Sequence, residues 1–545
     1  AGWLYAFRPD GSLFWKYDTR NAIPVGTPAG AMTVQSSPAV ADVDGDGEPE
    51  VVVGLGGQAL PGIGIGQGGV LILNSNGTFK RILYTQDITD SANRGAPQDG
   101  FREGVLATPV LANVDDDPEP EILVGAFDNL FYGWNADGTT IFARDNDGDG
   151  RFDEDFLGDS TPYTPFDSSD DFPGIRLVDD DSNGDTDEGH PADDDEDGLI
   201  DEDYPEFPFN ATDTLLTGTV VTDLLGNGQP AIIFGTDYSG TPPFSRGGVL
   251  RVLDRTGSPL PGFPKGNLEQ VIWSSPAVVD LDGDGKLEIV HGSGLDLSTV
   301  GDTPADSLVG RLVYAWRNDG SPFIAGSNGK LADTEGRSYA SFAVGDLDND
   351  GHPELVIATT SLMNKQGQYT DSAGNVISAS NAIGQMLYAF RRDGSLIPGF
   401  PVRPYTANRA TNLVGSPVLA DVNADGFLDI VLPVGAGVVV FDRTGRAVPG
   451  MGIYENLQED NFPGEITSTP AVADIDLDGR LELVWSMGTG SGTTGIVRVV
   501  KLGAVNATVP RSWPCFLRTP QRNAVFDVML GQVRAVDTGG QLRLT

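Results

Sequence analysis

Acidic residues recur at alternate positions in this chain, and the stretch SSPAVADVDGDGEPEVVV shows the pattern clearly. Asp42, Asp44 and Asp46 are followed by Glu50, with strand-like apolar runs on both sides. A calcium ion takes about 6–8 oxygen ligands at roughly 2.3–2.6 Å, and alternate carboxylates on a curled backbone converge on one point. The stretch therefore predicts a calcium-binding loop that joins two β-strands.

The same nine-residue loop recurs along the chain, and we number seven copies in order as loops 1 to 7. Their ranges are 42–50, 113–121, 223–231, 280–288, 346–354, 421–429 and 474–482. Loops 4 to 7 keep the pattern, with Asn423 as a tolerable substitute in loop 6. Loop 3 has Leu225, Asn227 and Ala231 at ligand positions and is predicted to lack a metal. In loop 2, Pro118 stands where glycine is expected, which leaves open whether this loop binds a metal.

Residues 145–203 interrupt the repeat with 24 acidic residues against two arginines. Three stretches in this insertion keep ligand spacing 1, 3, 5 and 9 with glycine at position 6. The predicted ligands are Asp145, Asp147, Asp149, Asp153, Asp179, Asp181, Asn183, Asp187, Asp193, Asp195, Asp197 and Asp201. The insertion resembles the acidic calcium repeats of thrombospondin type 3 and dockerin-like segments, although Phe156, His190 and Tyr204 stand where an EF-hand has glutamate. Calcium binding is predicted, with a disordered acidic loop as the alternative.

Composition narrows the classes of partner. The formal net charge of −44 argues against nucleic acid and anionic membrane surfaces, which attract basic proteins. No apolar run reaches the roughly 18–20 residues of a membrane span. Cys515 is the only cysteine, which excludes an intrachain disulfide.

Because the chain starts at Ala1 in strand-like sequence, we expect that a leader was removed and that the protein is secreted, extracellular or on the cell surface.

A strand pair follows most acidic loops, as in GGVLILNSNGTFKRILY and QMLYAFRRDGSLIPGF, where Asn-Gly and Asp-Gly indicate hairpins. Without the 59-residue insertion, loop starts are spaced by about 50 to 75 residues, which suits one four-stranded unit per repeat. The predicted fold class is all-β, a β-propeller of four-stranded blades formed by residues 1–144 and 204–545. Seven units carry an acidic loop, and strands from both termini add an eighth blade, with seven blades as the alternative.

The repeated D-x-D-x-D-G-x-x-[DE] motif after S-P-A-V-A resembles the FG-GAP/VCBS family of calcium-bearing propellers, to which the integrin α head also belongs. The resemblance covers nearly the whole chain outside the insertion, but the Phe-Gly and Gly-Ala-Pro signatures of the integrin subgroup are not in place, so integrin-type ligand recognition is not implied. The resemblance implies calcium ligands at Asp42, Asp44, Asp46, Glu50, Asp280, Asp282, Asp284, Glu288, Asp346, Asp348, Asp350, Glu354, Asp421, Asn423, Asp425, Asp429, Asp474, Asp476, Asp478 and Glu482. If loop 2 holds a metal, its candidate ligands are Asn113, Asp115, Asp117 and Glu121.

No catalytic constellation is recognisable in the sequence, so an enzyme is not favoured. The histidines, His190, His291 and His352, have no serine or cysteine nucleophile motif beside them. We therefore expect a calcium-stabilised, adhesive or structural module that binds an extracellular protein, a glycan or copies of itself, and that could build a filament through its terminal strands.

The alternative is a lectin or polysaccharide lyase. Aromatic and basic residues recur near the blade turns, namely Trp134, Tyr314, Trp316, Arg391 and Arg392. The competing interpretation of the aromatics is packing within the blades.

Overall fold

A computed structural model describes most of the repeats. The described residues are 2–22, 34, 36–56, 68–86, 102–115, 118–141, 207–211, 214–236, 248–266, 270–295, 311–364, 368–371, 373–404, 415–434, 437–451, 468–488, 495–505, 515–519, 525–526, 536–537 and 542–543. They form two compact units. Unit 1 comprises Ala1–Asp223, Gln229–Leu268 and Pro520–Asn523, and unit 2 comprises Leu224–Gly228, Glu269–Thr519 and Ala524–Thr545.

Unit 1 consists of antiparallel sheets in which consecutive strands are neighbours. A two-stranded sheet pairs β1 (Trp3–Phe7) with β2 (Leu13–Asp18), and a 3-10 helix follows at Thr19–Ala22. Three four-stranded sheets come next: β3 (Ala39–Ala41), β4 (Glu50–Leu55), β5 (Gly69–Leu73) and β6 (Phe79–Leu83); β7 (Val110–Ala112), β8 (Glu121–Gly125), β9 (Leu130–Trp134) and β10 (Phe209–Asn210); β11 (Val220–Thr222), β12 (Ala231–Gly235), β13 (Val249–Asp254) and β14 (Lys265–Gly266).

Unit 2 continues the same strand order. Its sheets comprise β15 (Gln270–Val271) with β18 (Gly294–Leu295); β16 (Ala277–Val279), β17 (Glu288–His291), β19 (Leu312–Arg317) and β20 (Lys330–Asp333); β21 (Ala343–Gly345), β22 (Glu354–Thr359) and β23 (Met386–Phe390); β24 (Val418–Ala420), β25 (Asp429–Val434) and β26 (Gly437–Phe441); β27 (Ala471–Ala473), β28 (Arg480–Gly488) and β29 (Gly495–Val505). A second 3-10 helix spans Ala379–Asn381.

Three short strands lie near the end of the chain. β30 (Val525–Phe526) pairs in parallel with β16, and β31 (Val536–Asp537) pairs with β32 (Leu542–Arg543). Among the described residues, β1 and β2 pair only with each other. The eighth blade built from both termini therefore stays a prediction.

The inner strands of the sheets are apolar on both faces where neighbouring sheets pack against each other. In unit 1, Val52 and Ile72 of one sheet share a buried cluster with Val124 and Tyr132 of the next. In unit 2, the corresponding cluster joins the sheet of β24–β26 to the sheet of β27–β29. Burial on both faces explains why these strands are continuously apolar rather than alternating.

The predicted all-β class with propeller-type blades is confirmed. The described strands follow the order of a meander, and consecutive sheets within each unit pack face to face. The number of blades and the boundaries at 144, 145, 203 and 204 stay predictions, and the whole of 145–203 lies outside the described residues.

Candidate metal centres

Each acidic loop joins the first strand of its sheet to the second. Loop 1 follows β3 and ends at the first residue of β4, and loop 5 stands in the same way between β21 and β22. The glycine at the sixth position has a φ between 84° and 93° in loops 1, 4, 5, 6 and 7. An L side chain there would be strained, which explains the fixed glycine.

The first aspartate of loops 1, 4, 5, 6 and 7 anchors the turn of the backbone around it. Asp42 Oδ2 accepts a hydrogen bond from Gly47 N–H at 2.9 Å, and Asp346 Oδ2 accepts one from Gly351 N–H at 3.0 Å. The matching bonds occur in loops 4, 6 and 7. One carboxylate oxygen is thereby fixed by the backbone, and the loop is held in a ring-like turn.

The ninth residue closes the loop from inside the sheet. Glu354 Oε2 accepts a hydrogen bond from Leu347 N–H at 2.7 Å, and Glu50 Oε2 accepts one from Val43 N–H at 3.2 Å. The ninth-position side chains are all nearly fully buried, with exposures of 0 to 3% at Glu50, Glu288, Glu354, Asp429 and Glu482. A carboxylate is therefore placed at the base of each of these five loops, with only one oxygen held by the backbone.

Burial makes the ionised form of these carboxylates unfavourable. Burial, together with the charges of the neighbouring aspartates and against the hydrogen bond from Leu347, raises the pKa of Glu354 to about 8. Burial likewise raises the pKa of Glu288 and of Asp429 to about 7. A buried negative charge needs a cation or a proton close by.

Four loops bring three carboxylates together closely enough for one ion. In each, one oxygen per residue lies within 4.8 Å of the others; the sets are Asp42, Asp44 and Glu50; Asp280, Asp282 and Glu288; Asp346, Asp348 and Glu354; and Asp474, Asp476 and Glu482. In addition, Asp42 Oδ1 is buried and has no hydrogen-bond partner. Hard carboxylate oxygens at alternate positions fit a calcium ion.

In three of these loops, the carboxylates are contacted by a basic side chain from another strand of the same sheet. Lys80 Nζ lies 2.9 Å from Glu50 Oε1 and 3.9 Å from Asp46 Oδ2, and it also contacts Asp44. Burial lowers the pKa of Lys80, but its hydrogen bonds with Asp44 and Glu50 outweigh burial, so the pKa is raised.

Arg317 and Lys501 hold the corresponding places in loops 4 and 7. Arg317 Nη2 lies 3.1 Å from Asp282 Oδ2, and its Nη1 lies 3.5 Å from Glu288 Oε1. Lys501 Nζ lies 2.9 Å from Asp476 Oδ2 and also contacts Asp478. Each of these residues lies in the next strand of the sheet, where it is paired with the ninth-position glutamate of its loop. A single loop motif does not reveal this strand register.

The remaining predicted ligands are placed only in part. In loop 6, Asp425 N–H donates to Asp421 Oδ1 at 3.1 Å and to Asn423 Oδ1 at 2.8 Å, so the substitute amide points into the turn. In loop 2, Glu121 Oε2 accepts a hydrogen bond from Val114 N–H at 2.5 Å. Asp117 and all twelve predicted ligands of the insertion lie outside the described residues.

The aromatics considered for glycan contact are core residues. Trp134, Tyr314 and Trp316 are 4 to 8% exposed, and the rings of Tyr314 and Trp316 lie parallel with centroids 6.4 Å apart. His291 is fully buried, and burial lowers its pKa to about 4. These side chains stabilise the sheets, in agreement with the packing interpretation.

Comparison with known proteins agrees with the repeat. Residues 338–377, which contain loop 5, match the family model described as FG-GAP repeat. No curated protein matches the chain. No helix in the described part of the chain has the length and apolar character to cross a membrane.

Several solved structures are similar to the chain at low identity. BamB from Moraxella catarrhalis has a TM-score of 0.41 with 11% identity, covering 92% of this chain and 91% of that one. A europium-containing methanol dehydrogenase has a TM-score of 0.41 with 12% identity, covering 89% of this chain and 81% of that one. The Dos1 propeller has a TM-score of 0.35 with 10% identity, covering 88% of each chain. Likeness at this level says nothing about activity or ligands.

Proposed function

We propose that the chain is a calcium-stabilised interaction module of the FG-GAP/VCBS type that works outside the cell as an adhesive or structural component. The observation that supports this proposal most directly is the buried ninth-position carboxylate, which lies beside two aspartates in four loops. Such clusters are costly without a cation and become stabilising with one. The same chemistry extends the proposal to loops 2 and 6 and to the insertion 145–203.

The ligands of each proposed site come from the chain itself. In loop 5, Asp346, Asp348 and Glu354 would hold the ion, and the backbone hydrogen bonds to Asp346 and Glu354 orient those two carboxylates. Bound calcium would neutralise the mutual repulsion of these carboxylates. A site filled at 10 times its Kd contributes about 1.4 kcal/mol to stability, so several sites together decide how well the fold survives.

Self-association is proposed from the ends of the chain. β1 with β2, and β31 with β32, form two-stranded sheets in the described residues. Short sheets with unpaired edges can accept strands from another molecule. A filament or oligomer built through these terminal strands is the proposed assembly.

Calcium removal tests the proposal. We expect the melting temperature of the full chain to fall in EGTA and to return with calcium, but not with an equal concentration of magnesium, whose octahedral geometry and shorter ligand distances suit these loops poorly. Electron microscopy with and without chelator tests assembly. An unchanged melting temperature in EGTA would contradict the calcium sites, and isolated particles in both conditions would contradict self-association.

Glycan binding is a second candidate, favoured by one observation. Trp3, Tyr5 and Phe7 lie on the outer face of β1 and are 39, 53 and 47% exposed, with neighbouring ring centroids 6.4 and 6.1 Å apart. Rows of exposed aromatic rings offer apolar faces on which sugars stack. A glycan array with wild type and Tyr5→Ser tests this candidate, and a lyase absorbance assay separates binding from depolymerisation.

A further inference from the structure

The four carboxylate clusters differ in whether a lysine or arginine side chain contacts the carboxylates at the third and ninth positions of the loop. The clusters of loops 1, 4 and 7 are contacted by Lys80, Arg317 and Lys501, each of which lies 2.9 to 3.5 Å from a cluster carboxylate oxygen. In loop 5, no lysine or arginine among the described residues forms an ion pair with Asp348 or Glu354. Within the described part of the chain, the buried glutamate of loop 5 thus has no basic partner.

This difference arises from side-chain direction, because loop 5 has an arginine at the corresponding place in the sequence. In the strand after loop 4, Arg317 is paired with Glu288. In the strand after loop 5, Leu355 is paired with Phe390, so the next residue, Arg391, holds the position of Arg317. Arg391 instead donates a hydrogen bond to the carbonyl of Leu396 at 3.4 Å.

We propose that Lys80, Arg317 and Lys501 compete with calcium for their loops, so that loop 5 binds its ion most tightly of the four clusters. The inference rests on the calcium sites proposed above. A basic group within hydrogen-bond distance of the ligands repels a divalent ion and occupies carboxylate oxygens that the ion needs. It must therefore move aside when calcium binds.

The same basic groups give loops 1, 4 and 7 an order that does not depend on calcium. Lys80 and Arg317 each contact the buried glutamate as well as an aspartate nearer the rim, and so hold the two ends of the loop together. Among the described residues, no basic side chain braces Asp348 and Glu354 of loop 5 in this way, so a bound ion is what would hold these two carboxylates together. Calcium would therefore act on loop 5 first, at low concentration, and on the other three only at higher concentration.

Hydrogen exchange measured by mass spectrometry tests the proposal, because peptides report each loop separately in the full chain. The chain is stripped with EGTA and returned to stepped free calcium concentrations. We expect loop 5 to gain protection at the lowest calcium concentration, followed by loops 1, 4 and 7. We expect Lys80→Gln to shift the midpoint of loop 1 alone to about fivefold lower calcium, a factor within the range of exposed ion pairs.

Matched variants separate charge from side-chain packing. Lys80→Arg keeps the charge and should keep the wild-type midpoint of loop 1, and Lys501→Gln should shift loop 7 without moving loop 1. Arg391→Gln is the control, since Arg391 contacts Leu396 and not the carboxylates, and it should leave the midpoint of loop 5 unchanged.

The outcomes distinguish this inference from the proposed function. Equal midpoints for all four loops, or an unshifted loop 1 in Lys80→Gln, would overturn the competition while leaving calcium binding intact. A shift to higher calcium would also overturn it, because the lysine would then be assisting the ion. No response of any loop to calcium would overturn both proposals together.

Discussion

Glu354 shows how one side chain can change its effect on stability with the surroundings. It is buried at the base of loop 5, with one oxygen on Leu347 N–H and aspartates nearby. Without a metal, its charge is poorly compensated, so it destabilises the folded state. With calcium bound, the same charge becomes a ligand.

Glu354→Gln should therefore have opposite effects in the two conditions. In EGTA, we expect the melting temperature to rise or stay constant, because a buried charge has been removed. In calcium, we expect the variant to lie below wild type by about 1–2 kcal/mol, the scale of one lost site. Thermal unfolding checks both, with Glu335→Gln, an exposed glutamate outside the loops, as the control for charge alone. A parallel loss in both conditions would contradict a ligand role.

Asp128 is a buried carboxylate outside the acidic loops. It accepts hydrogen bonds from Gln86 N–H at 3.1 Å and Leu130 N–H at 3.1 Å, and from the Tyr132 hydroxyl. Burial raises its pKa to about 6 in spite of these bonds. Because the folded pKa lies above the ordinary value, the folded state holds this proton more tightly than the unfolded chain does.

The direction in which stability changes with pH follows from the higher pKa of Asp128 in the folded state. The stabilising contribution of Asp128 is fully present below about pH 4 and is lost as the pH rises through about 6. We expect wild type to lose stability relative to Asp128→Asn over this interval, by roughly 2 kcal/mol. Denaturant unfolding of both proteins at pH 4.5 and 7.5 checks this. A difference in stability that is the same at both pH values would show that Asp128 does not titrate there.

At the scale of the single element, the turn of the acidic loop requires left-handed backbone at its fourth position as well as its sixth. Gly45 and Gly283 satisfy this in loops 1 and 4, but loop 7 has Leu477 with a φ of 58° and a side chain that is 87% exposed. A left-handed conformation costs an ordinary residue about 1–2 kcal/mol.

Leu477→Gly should relieve this strain. The greater freedom of glycine in the unfolded chain disfavours folding by roughly 0.5–1 kcal/mol, which offsets part of the relieved strain. We therefore expect a small net gain in stability of about 0.5 kcal/mol. Leu225→Gly is the matched control, because Leu225 is also an exposed loop leucine but lacks a positive φ, and it should destabilise the protein. Calorimetry in saturating calcium checks both. A loss of stability in Leu477→Gly would mean that the leucine side chain has a contact role.

The elements also show what could be predicted from the sequence and what could not. The acidic turn, its glycine and its flanking strands were predictable, because they depend on residues only nine positions apart and are repeated. The contact of Lys80 with Glu50 was not predictable. Lys80 lies in β6, 30 positions after Glu50, whereas the residue opposite Glu50 in the strand register is Asn74. Side chains that meet through strand register need the sheet before they can be seen.

At the scale of the whole molecule, the net charge of −44 acts on every state of the protein. Repulsion among like charges weakens the compact state, and salt screens exposed charges over about 8–10 Å at ordinary ionic strength. Calcium removes part of the same repulsion by binding. Salt and calcium are therefore expected to act in overlapping ways.

The EGTA-treated protein should consequently gain more from salt than the calcium-loaded protein. We expect its melting temperature to rise clearly between 20 mM and 500 mM sodium chloride, with a smaller rise when calcium is saturating. Thermal scans over this range check the expectation, with potassium chloride to exclude an effect specific to sodium. Equal salt dependence with and without calcium would contradict charge relief as the source of calcium stabilisation.

The pairing of β30 with β16 has a consequence for biosynthesis. Val278 and Val279 lie beside Val525 and Phe526, almost 250 residues later in the chain. A ribosome completes β16 long before β30 emerges, so that edge stays open while most of unit 2 is being translated. The nascent chain therefore carries an exposed strand edge for which chaperones and neighbouring nascent chains compete until β30 has been made.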